Sequence, residues 1–321
     1  MNEFDIIADI FAPLATAPGA FGLKDDAASI PPRPGFDLVV TTDQVAEGTD
    51  FFAHDPAGLV AKKALRVNLS DLAAKGAKPE FYCLVLALPP SITTDWLKAF
   101  AAGLAEDQLL FGISLLGGDT GGGEGPLSIT ITAFGFVPQG GMLRREGARA
   151  GDAVYVTGTI GDSGGGLAIF KREKHALSDT DRDYLVGRYR QPEPPVGFGV
   201  KMAALASASV DISDGLIADL GHLARASGVK LAIDAEAVPR SKPLRAFWGD
   251  GEGAIIRAVT AGDDYQIAFT ANPARQARIF ADAAATETVV TRIGTVTAGQ
   301  GVELSLSGKI LDVPKPGFTH F

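Results

Sequence analysis

Short apolar runs rich in valine and isoleucine alternate with helix-like patterns along the whole chain. Runs of four to eight apolar residues bounded by turn residues are typical of buried strands, and longer segments with a period near 3.6 are typical of amphipathic helices. In the first half, the predicted strands are 36–42, 81–88, 113–116 and 127–137, and the predicted helices are 3–14, 56–75 and 94–110. The pattern indicates a mixed α/β fold.

The second half repeats this alternation after a turn-rich segment at Gly147–Asp152. The predicted strands are 153–157, 209–212, 229–233, 265–270 and 289–296, and the predicted helices are 165–172, 196–208, 215–227 and 273–284. Because turn clusters mark domain boundaries, we expect two domains of similar size, 1–148 and 149–321.

Composition narrows the class of protein. The 321 residues are 46% hydrophobic, yet no apolar run is long enough to span a membrane. The acidic N-terminus lacks the basic start of a secretory signal, and the single cysteine, Cys83, cannot form an internal disulfide. We therefore expect a cytoplasmic protein in which Cys83 is a small core residue.

The formal net charge of −9 disfavours a nucleic-acid-binding protein, which would need a basic face. It is compatible with small anionic substrates if divalent cations stand between the carboxylates and the ligand.

Aspartates follow several of the predicted strands. Asp43, Asp119 and Asp211 each come after an apolar run, and Asp25 and Asp26 follow a turn. Because ligand sites in α/β folds gather at the carboxyl ends of strands, these acids indicate a magnesium site with oxygen ligands. The alternative for each single aspartate is a turn or a helix cap. No histidine or cysteine cluster accompanies them, which disfavours zinc.

Two further segments have competing interpretations. Asn68 and Asp71 are three residues apart on one face of a predicted helix, and the pattern alone favours a solvated face. The glycine-rich stretch Gly117–Gly125 could bring backbone N–H groups close to a phosphate, or be a flexible loop. It is not a Walker loop, since no Gly-Lys-Ser/Thr follows. Gly161–Gly166 is interpreted as tight strand–helix packing.

Taken together, six motifs resemble the thiamine-monophosphate kinase family of the aminoimidazole-ribonucleotide synthetase-like superfamily. The motifs are Lys24–Ala28, Thr41–Asp43, Val67–Ala77, Gly117–Thr120, Asp211–Leu216 and Gly262–Tyr265, and the end Gly317–Phe321 is similar as well. The resemblance covers essentially the whole chain.

The resemblance implies a two-domain fold whose N-terminal sheet forms a homodimer interface. It also implies transfer of the γ-phosphoryl group of ATP to thiamine monophosphate, with several Mg2+ ions as cofactors. The implied metal ligands are Asp26, Thr41, Thr42, Asp43, Asp71, Asp119, Asp211 and Asp214. The implied ATP contacts are Phe111, Gly118, Asp119, Arg145 and Ser213.

Phosphoryl transfer needs positioning and charge neutralisation more than covalent help from the protein. The acceptor phosphate is already ionised at neutral pH, so we expect direct in-line attack with no catalytic acid or base. Without the resemblance, Arg145 would be equally well explained as a solvated arginine.

The chain departs from the family on the substrate side. Asp50 stands where a histidine is usual, Asp263 where a glutamate is usual, and Phe111 where a tyrosine is common. Phe318 could pack against the thiamine rings, or be a core aromatic residue. Asp50, Asp263 and Phe318 are the expected substrate contacts.

Two alternatives remain at this point. One is another ATP-using enzyme of the superfamily, and the other is a non-catalytic nucleotide-binding relative. The unbroken set of metal-ligating residues disfavours the second.

Overall fold

The structure is a computed structural model that describes residues 3–318. The end of the C-terminal motif, Thr319 to Phe321, therefore lies outside the described residues. By the density of contacts, the chain divides into two compact units. The first runs to Leu72 and continues over Ala77–Gly140, and the second comprises Ala73–Gly76 and everything from Gly141. The domain limits 148 and 149 remain a prediction.

A four-stranded sheet forms the centre of the first unit, in the order β1-β4-β2-β3. Its strands are β1 Phe36–Ala46, β2 Lys78–Leu88, β3 Ser114–Gly122 and β4 Ser128–Pro138. Strand β4 is antiparallel to β1 and β2, whereas β2 and β3 are parallel.

The helices of the first unit lie close to their predicted positions. They are α1 Glu3–Ile6, α2 Ala57–Ala74 and α3 Thr94–Phe111. Residues 3–14 are helical throughout but change from α to π and then to 3-10 geometry, with Pro13 in the last segment. The α3 helix begins where the Thr93 side chain accepts the N–H of Trp96 and ends at left-handed Gly112.

Two strands are longer than predicted, which corrects the location of two aspartates. Asp43 and Asp119 were expected just beyond strands β1 and β3, but each lies inside its strand. The glycine-rich stretch joins β3 as far as Gly122 because its backbone pairs with β2, from Cys83 opposite Gly117 to Leu88 opposite Gly122. Asp211 does close its strand, as predicted.

The second unit is built on a seven-stranded sheet in the order β11-β10-β7-β9-β5-β8-β6. Its strands are β5 Ala153–Thr157, β6 Ala208–Asp211, β7 Lys230–Asp234, β8 Ile267–Ala271, β9 Val290–Thr297, β10 Gly301–Leu306 and β11 Lys309–Ile310. The helices are α4 Asp162–Phe170, α5 Asp179–Arg190, α6 Val196–Met202, α7 Leu216–Ser227, α8 Lys242–Trp248, α9 Glu252–Val259 and α10 Gln276–Ala284.

Separate hydrophobic clusters lie around the second sheet. One joins α7 to the sheet through Leu220, Leu223 and Leu231, and another includes Phe198 and Phe269. The mixed α/β class with two sheets is confirmed. No helix in the described part of the chain is long and apolar enough to cross a membrane.

Candidate functional site

Three polar side chains of the first unit meet between β1 and α2. Thr41 and Asp43 are two residues apart on β1 and therefore point to the same face of the sheet. The Thr41 hydroxyl donates a hydrogen bond of 2.5 Å to Asp71 on α2. Asn68, one turn earlier on α2, is fully buried. The expectation of a solvated helix face is therefore wrong here.

Asp43 is the most strongly perturbed carboxyl of this group. Burial, together with the nearby Asp71 and Asp50 carboxylates, raises its pKa to about 7. Two carboxyl groups this close repel each other when both are ionised, so the pair favours uptake of a positive charge. A hard cation would supply this charge, because carboxylate and hydroxyl oxygens are the ligands that Mg2+ prefers.

Asp50 is anchored beside this group. Its carboxylate accepts the N–H of Ala46 at 2.8 Å, and its carbonyl oxygen accepts the Lys63 ammonium at 2.7 Å. The Lys63 side chain is almost completely buried, so the turn that follows β1 is tied to α2.

The Thr42 hydroxyl lies elsewhere. It contacts the Thr132 hydroxyl at 3.0 Å and the Ile131 carbonyl oxygen at 3.2 Å, both on β4. Because side chains alternate along a strand, Thr42 faces away from Thr41 and Asp43. Its hydroxyl is therefore not part of the Asp43–Asp71 group.

A second group lines a cavity of about 330 Å3 in the first unit. Asp25 and Asp26, on the exposed segment after Leu23, face this cavity together with Gly118 and Asp119 of β3. An added Cβ on Gly118 would collide with the Leu84 carbonyl oxygen, so glycine allows β3 to approach β2 here.

Cys83 also lines this cavity and is half-buried, so the expectation of a core residue is only partly met. Burial raises the pKa of its thiol, which disfavours a nucleophilic thiolate.

The two acidic groups lie on opposite edges of the same sheet. Across the sheet, Asp43 pairs with Ile131, Ile131 with Leu84, and Leu84 with Gly118, the neighbour of Asp119. Three strand spacings correspond to about 14 Å along the sheet. Mg2+ binds oxygen at about 2.1 Å, so one ion cannot contact both groups.

Phe111 lies at the end of α3 against a buried ion pair. The Arg66 guanidinium lies 5.3 Å from the Phe111 ring centroid. Asp107 accepts two hydrogen bonds of 2.7 Å from Arg66, and both side chains are at most 4% exposed. One side of the aromatic ring is therefore held in place by a cation.

In the second unit, the segment Ser213–Gly215 lies between β6 and α7. The Asp219 carboxylate, on the first turn of α7, accepts the N–H groups of Ser213, Asp214 and Gly215, each at 3.1 Å. Burial and the nearby Asp214 raise the pKa of Asp219 to about 7, although the three N–H donors favour its ionised form.

Two of the expected substrate residues, Asp263 and Phe318, contact the same segment through their backbones. Asp263 donates its N–H to the Ser213 carbonyl oxygen at 2.8 Å, and Phe318 donates its N–H to that of Asp214 at 2.9 Å. Asp263 has a positive φ of 66°, and its carboxylate accepts the Tyr265 hydroxyl at 3.1 Å. An added Cβ on the preceding Gly262 would collide with the Ser213 carbonyl oxygen.

A polar cluster adjoins this segment. One side-chain donor atom each from Asp214, Asp219 and His222 lies within 4.8 Å of the others. Burial lowers the pKa of His222, and the nearby cations Arg145 and Arg225 lower it further. The positive charge of Arg145 therefore acts on this cluster.

The structure thus places several of the predicted residues in three groups, two in the first unit and one in the second, whereas the Thr42 hydroxyl and Phe111 lie apart from them. It adds Asp219, His222 and Tyr265, which the sequence did not single out. An acid in the first turn of a helix is a recognisable signal for Asp219, whereas His222 has no such local signal.

Comparisons with family models and with curated proteins point to the same family. The family "AIR synthase related protein, N-terminal domain" matches residues 24–137, and "AIR synthase related protein, C-terminal domain" matches residues 149–307. The chain is 42% identical to a thiamine-monophosphate kinase of Caulobacter vibrioides, over 99% of this chain and 91% of that protein.

Solved structures of that family are also similar to this chain in fold. The thiamine-monophosphate kinase from Stenotrophomonas maltophilia K279a has a TM-score of 0.83 at 39% identity, covering 90% of this chain and 91% of its own. AaThiL complexed with AMPPCP and TMP has a TM-score of 0.80 at 32% identity, covering 94% and 97%.

Proposed function

Because the chain belongs to the thiamine-monophosphate kinase family, we propose that it transfers the γ-phosphoryl group of ATP to thiamine monophosphate, giving thiamine diphosphate and ADP. The observation that carries the proposal is the half-buried Asp43 carboxyl beside Asp71, whose carboxylate also accepts the Thr41 hydroxyl, an all-oxygen group suited to a hard cation.

The acidic groups fit Mg2+ as a cofactor, since every donor in the first unit's two groups is an oxygen. Asp43, Asp71 and Thr41 would hold one position, and Asp26 and Asp119 another. Thr42 would contribute through its main-chain oxygen, because its hydroxyl faces away. In the second unit, Asp211 and Asp214 would hold further ions. Bound Mg2+ neutralises the charge of the phosphates and polarises the transferring group.

The ATP contacts follow from the same groups. Gly118 lets the backbone beside Asp119 approach a phosphate, and Arg145 supplies a forked donor near Ser213. Phe111, held by Arg66, offers its remaining surface to the adenine ring.

The acceptor would contact Asp50, Asp263 and Phe318. The phosphate oxygen of thiamine monophosphate attacks the γ-phosphorus in line, and the bond to the β-phosphate oxygen of ATP breaks. No side chain needs to remove a proton, because the attacking phosphate is already ionised.

A homodimer is part of the proposal. Because side chains alternate along β1, Phe36, Leu38 and Val40 share the outer face of the first sheet, where each is 45–53% exposed. Exposed apolar rows of this kind mark interaction surfaces. We also propose that the protein acts in the cytoplasm.

The direct test is a phosphorus NMR assay of a substrate panel with ATP and Mg2+. We expect a new diphosphate signal with thiamine monophosphate, ADP in equal amount, and no reaction after chelation of the metal by EDTA. Turnover of another substrate alone would indicate a different enzyme of the superfamily. Binding of ATP without any turnover would indicate a non-catalytic relative.

A further inference from the structure

The segment Ser213–Gly215 is organised by one buried carboxylate. Asp219 is 3% exposed, and a single one of its oxygens accepts all three N–H groups of the segment. Successive N–H groups that point to one place form an anion-binding concavity, and here the protein's own side chain fills it. The conformation of the segment therefore depends on Asp219.

The carbonyl oxygens of this segment accept hydrogen bonds from two residues that are proposed to contact the acceptor. The oxygens of Ser213 and Asp214 accept the N–H groups of Asp263 and Phe318. Ser213 is proposed to contact ATP, Asp214 to hold Mg2+, and the other two to contact the acceptor. The backbone of Ser213–Gly215 thus connects the residues of the second unit that are proposed to contact ATP, Mg2+ and the acceptor.

A helix cap alone does not explain these bonds. The bond from Gly215, the N-cap residue of α7, is of the capping-box kind, but Ser213 and Asp214 precede the cap and their N–H groups belong to no helical turn. The bonds of Asp219 fix the approach to the helix rather than its first turn.

We propose that Asp219 is a positioning residue for phosphoryl transfer. It fixes the Ser213–Gly215 backbone and thereby sets the relative positions of Ser213, Asp214 and Asp263. The inference rests on the proposed function for the roles of those residues, whereas the geometry of the segment stands independently of it.

Two substitutions separate geometry from charge. Asp219→Leu keeps the approximate size but removes the acceptor oxygen, and Asp219→Asn keeps an oxygen that can accept the same N–H groups. We expect Asp219→Leu to weaken binding of the Mg2+ complex of AMPPCP, followed by calorimetry, by about tenfold or more, and to raise the KM for thiamine monophosphate similarly. Asp219→Asn should stay within about threefold of wild type.

The matched control is Asp152, another buried carboxylate of the second unit. It accepts the Arg149 N–H at 3.1 Å and the Ser207 hydroxyl at 2.7 Å, and it is not among the predicted site residues. Asp152→Leu should lower the melting temperature to a similar extent while leaving nucleotide binding and both KM values near wild type.

Three outcomes would overturn the proposal. They are normal nucleotide binding by Asp219→Leu, an equal loss of binding in Asp152→Leu, and a defect of Asp219→Asn as large as that of the leucine variant. If the leucine variant does not fold, Asp219→Ala takes its place, and failure of both to fold would assign Asp219 to folding instead. Wild-type nucleotide binding without turnover of thiamine monophosphate would refute the proposed function alone, because the binding measurements would still decide the role of Asp219.

Discussion

At the scale of single residues, side-chain alternation along β1 decides which oxygens can share a cation. Thr41 and Asp43 face Asp71, whereas Thr42 between them faces β4. The Asp43 carboxyl is held next to like charges, and this arrangement is costly unless a proton or a metal ion neutralises it. Such sites are common where function requires a bound cation.

Asp43→Asn should therefore cripple catalysis with little loss of folding. The amide removes a charged metal ligand, so we expect kcat to fall by about 100-fold or more in steady-state assays with saturating Mg2+. The melting temperature should be unchanged or higher, because the substitution relieves repulsion from Asp71.

Asp37→Asn is the matched control for that variant. Asp37 lies on the same strand and its carboxylate accepts the Gly140 N–H at 2.7 Å. Its substitution should leave kcat near wild type. Near-normal turnover of the Asp43 variant would remove Asp43 from the metal site.

Residue types with a chemical role could be found from the sequence, but their mutual positions could not. The acids beside glycine, serine and threonine indicated a hard cation. That Asp43 meets Asp71 rather than Asp119 follows from strand order, which depends on long-range pairing that no local pattern contains. The role of Asp219 depends on a turn whose N–H groups converge only in the folded chain.

At the scale of elements, glycine extends β3 past Asp119 to Gly122. The apolar pattern ends at Leu116, so the sequence predicted a strand of four residues followed by a loop. Pairing with β2 continues to Gly122 because the missing side chain of Gly118 leaves room for the Leu84 carbonyl oxygen. A weak intrinsic strand propensity is overridden by tertiary pairing.

Gly118→Ala should disturb this pairing. The added methyl group would push β3 from β2, and we expect a loss of about 1–3 kcal/mol in the free energy of unfolding, measured with urea. The KM for ATP should rise because the backbone beside Asp119 moves.

Gly117→Ala supplies the comparison for that prediction. A Cβ at Gly117 would meet nothing within 4 Å, so this neighbouring variant should retain stability and KM. Equal behaviour of the two alanine variants would contradict the close-approach explanation.

The elements that the sequence missed are mostly short or strongly polar. Helix α5 buries Leu185 and Tyr189 among many charged residues, so it shows little apolar periodicity. Its start is nevertheless encoded, because the Ser178 hydroxyl accepts the N–H of Asp181. Helices α8 and α9 and strands β10 and β11 were also not predicted.

At the scale of the whole molecule, the outer face of the first sheet exposes a row of apolar side chains from β1. Leu38 and Val40 share this face with Val85 of β2, as the strand register requires. Burial of such a face against a second copy would remove apolar area from water, which is favourable by about 25 cal/mol per Å2.

Val40→Lys should therefore produce monomers. A charged side chain in this apolar row would have to be buried unpaired in a dimer, which is costly. We expect the wild type to sediment as a dimer and the variant as a monomer in analytical ultracentrifugation.

Val289→Lys tests whether any exposed valine would have the same effect. Val289 is 66% exposed in the second unit, and its substitution should leave the sedimentation coefficient unchanged. A monomeric wild type, or a dimeric Val40 variant, would refute this interface.

The hydrogen bond between Asp263 and Ser213 has a consequence for engineering the enzyme. Because the donor is the main-chain N–H, the side chain at position 263 can be exchanged without removing this bond. Residues that tolerate a left-handed backbone, such as asparagine, are the natural first replacements. Variants that use new phosphate acceptors can therefore be sought at this position, while the residues that are proposed to bind ATP stay unchanged.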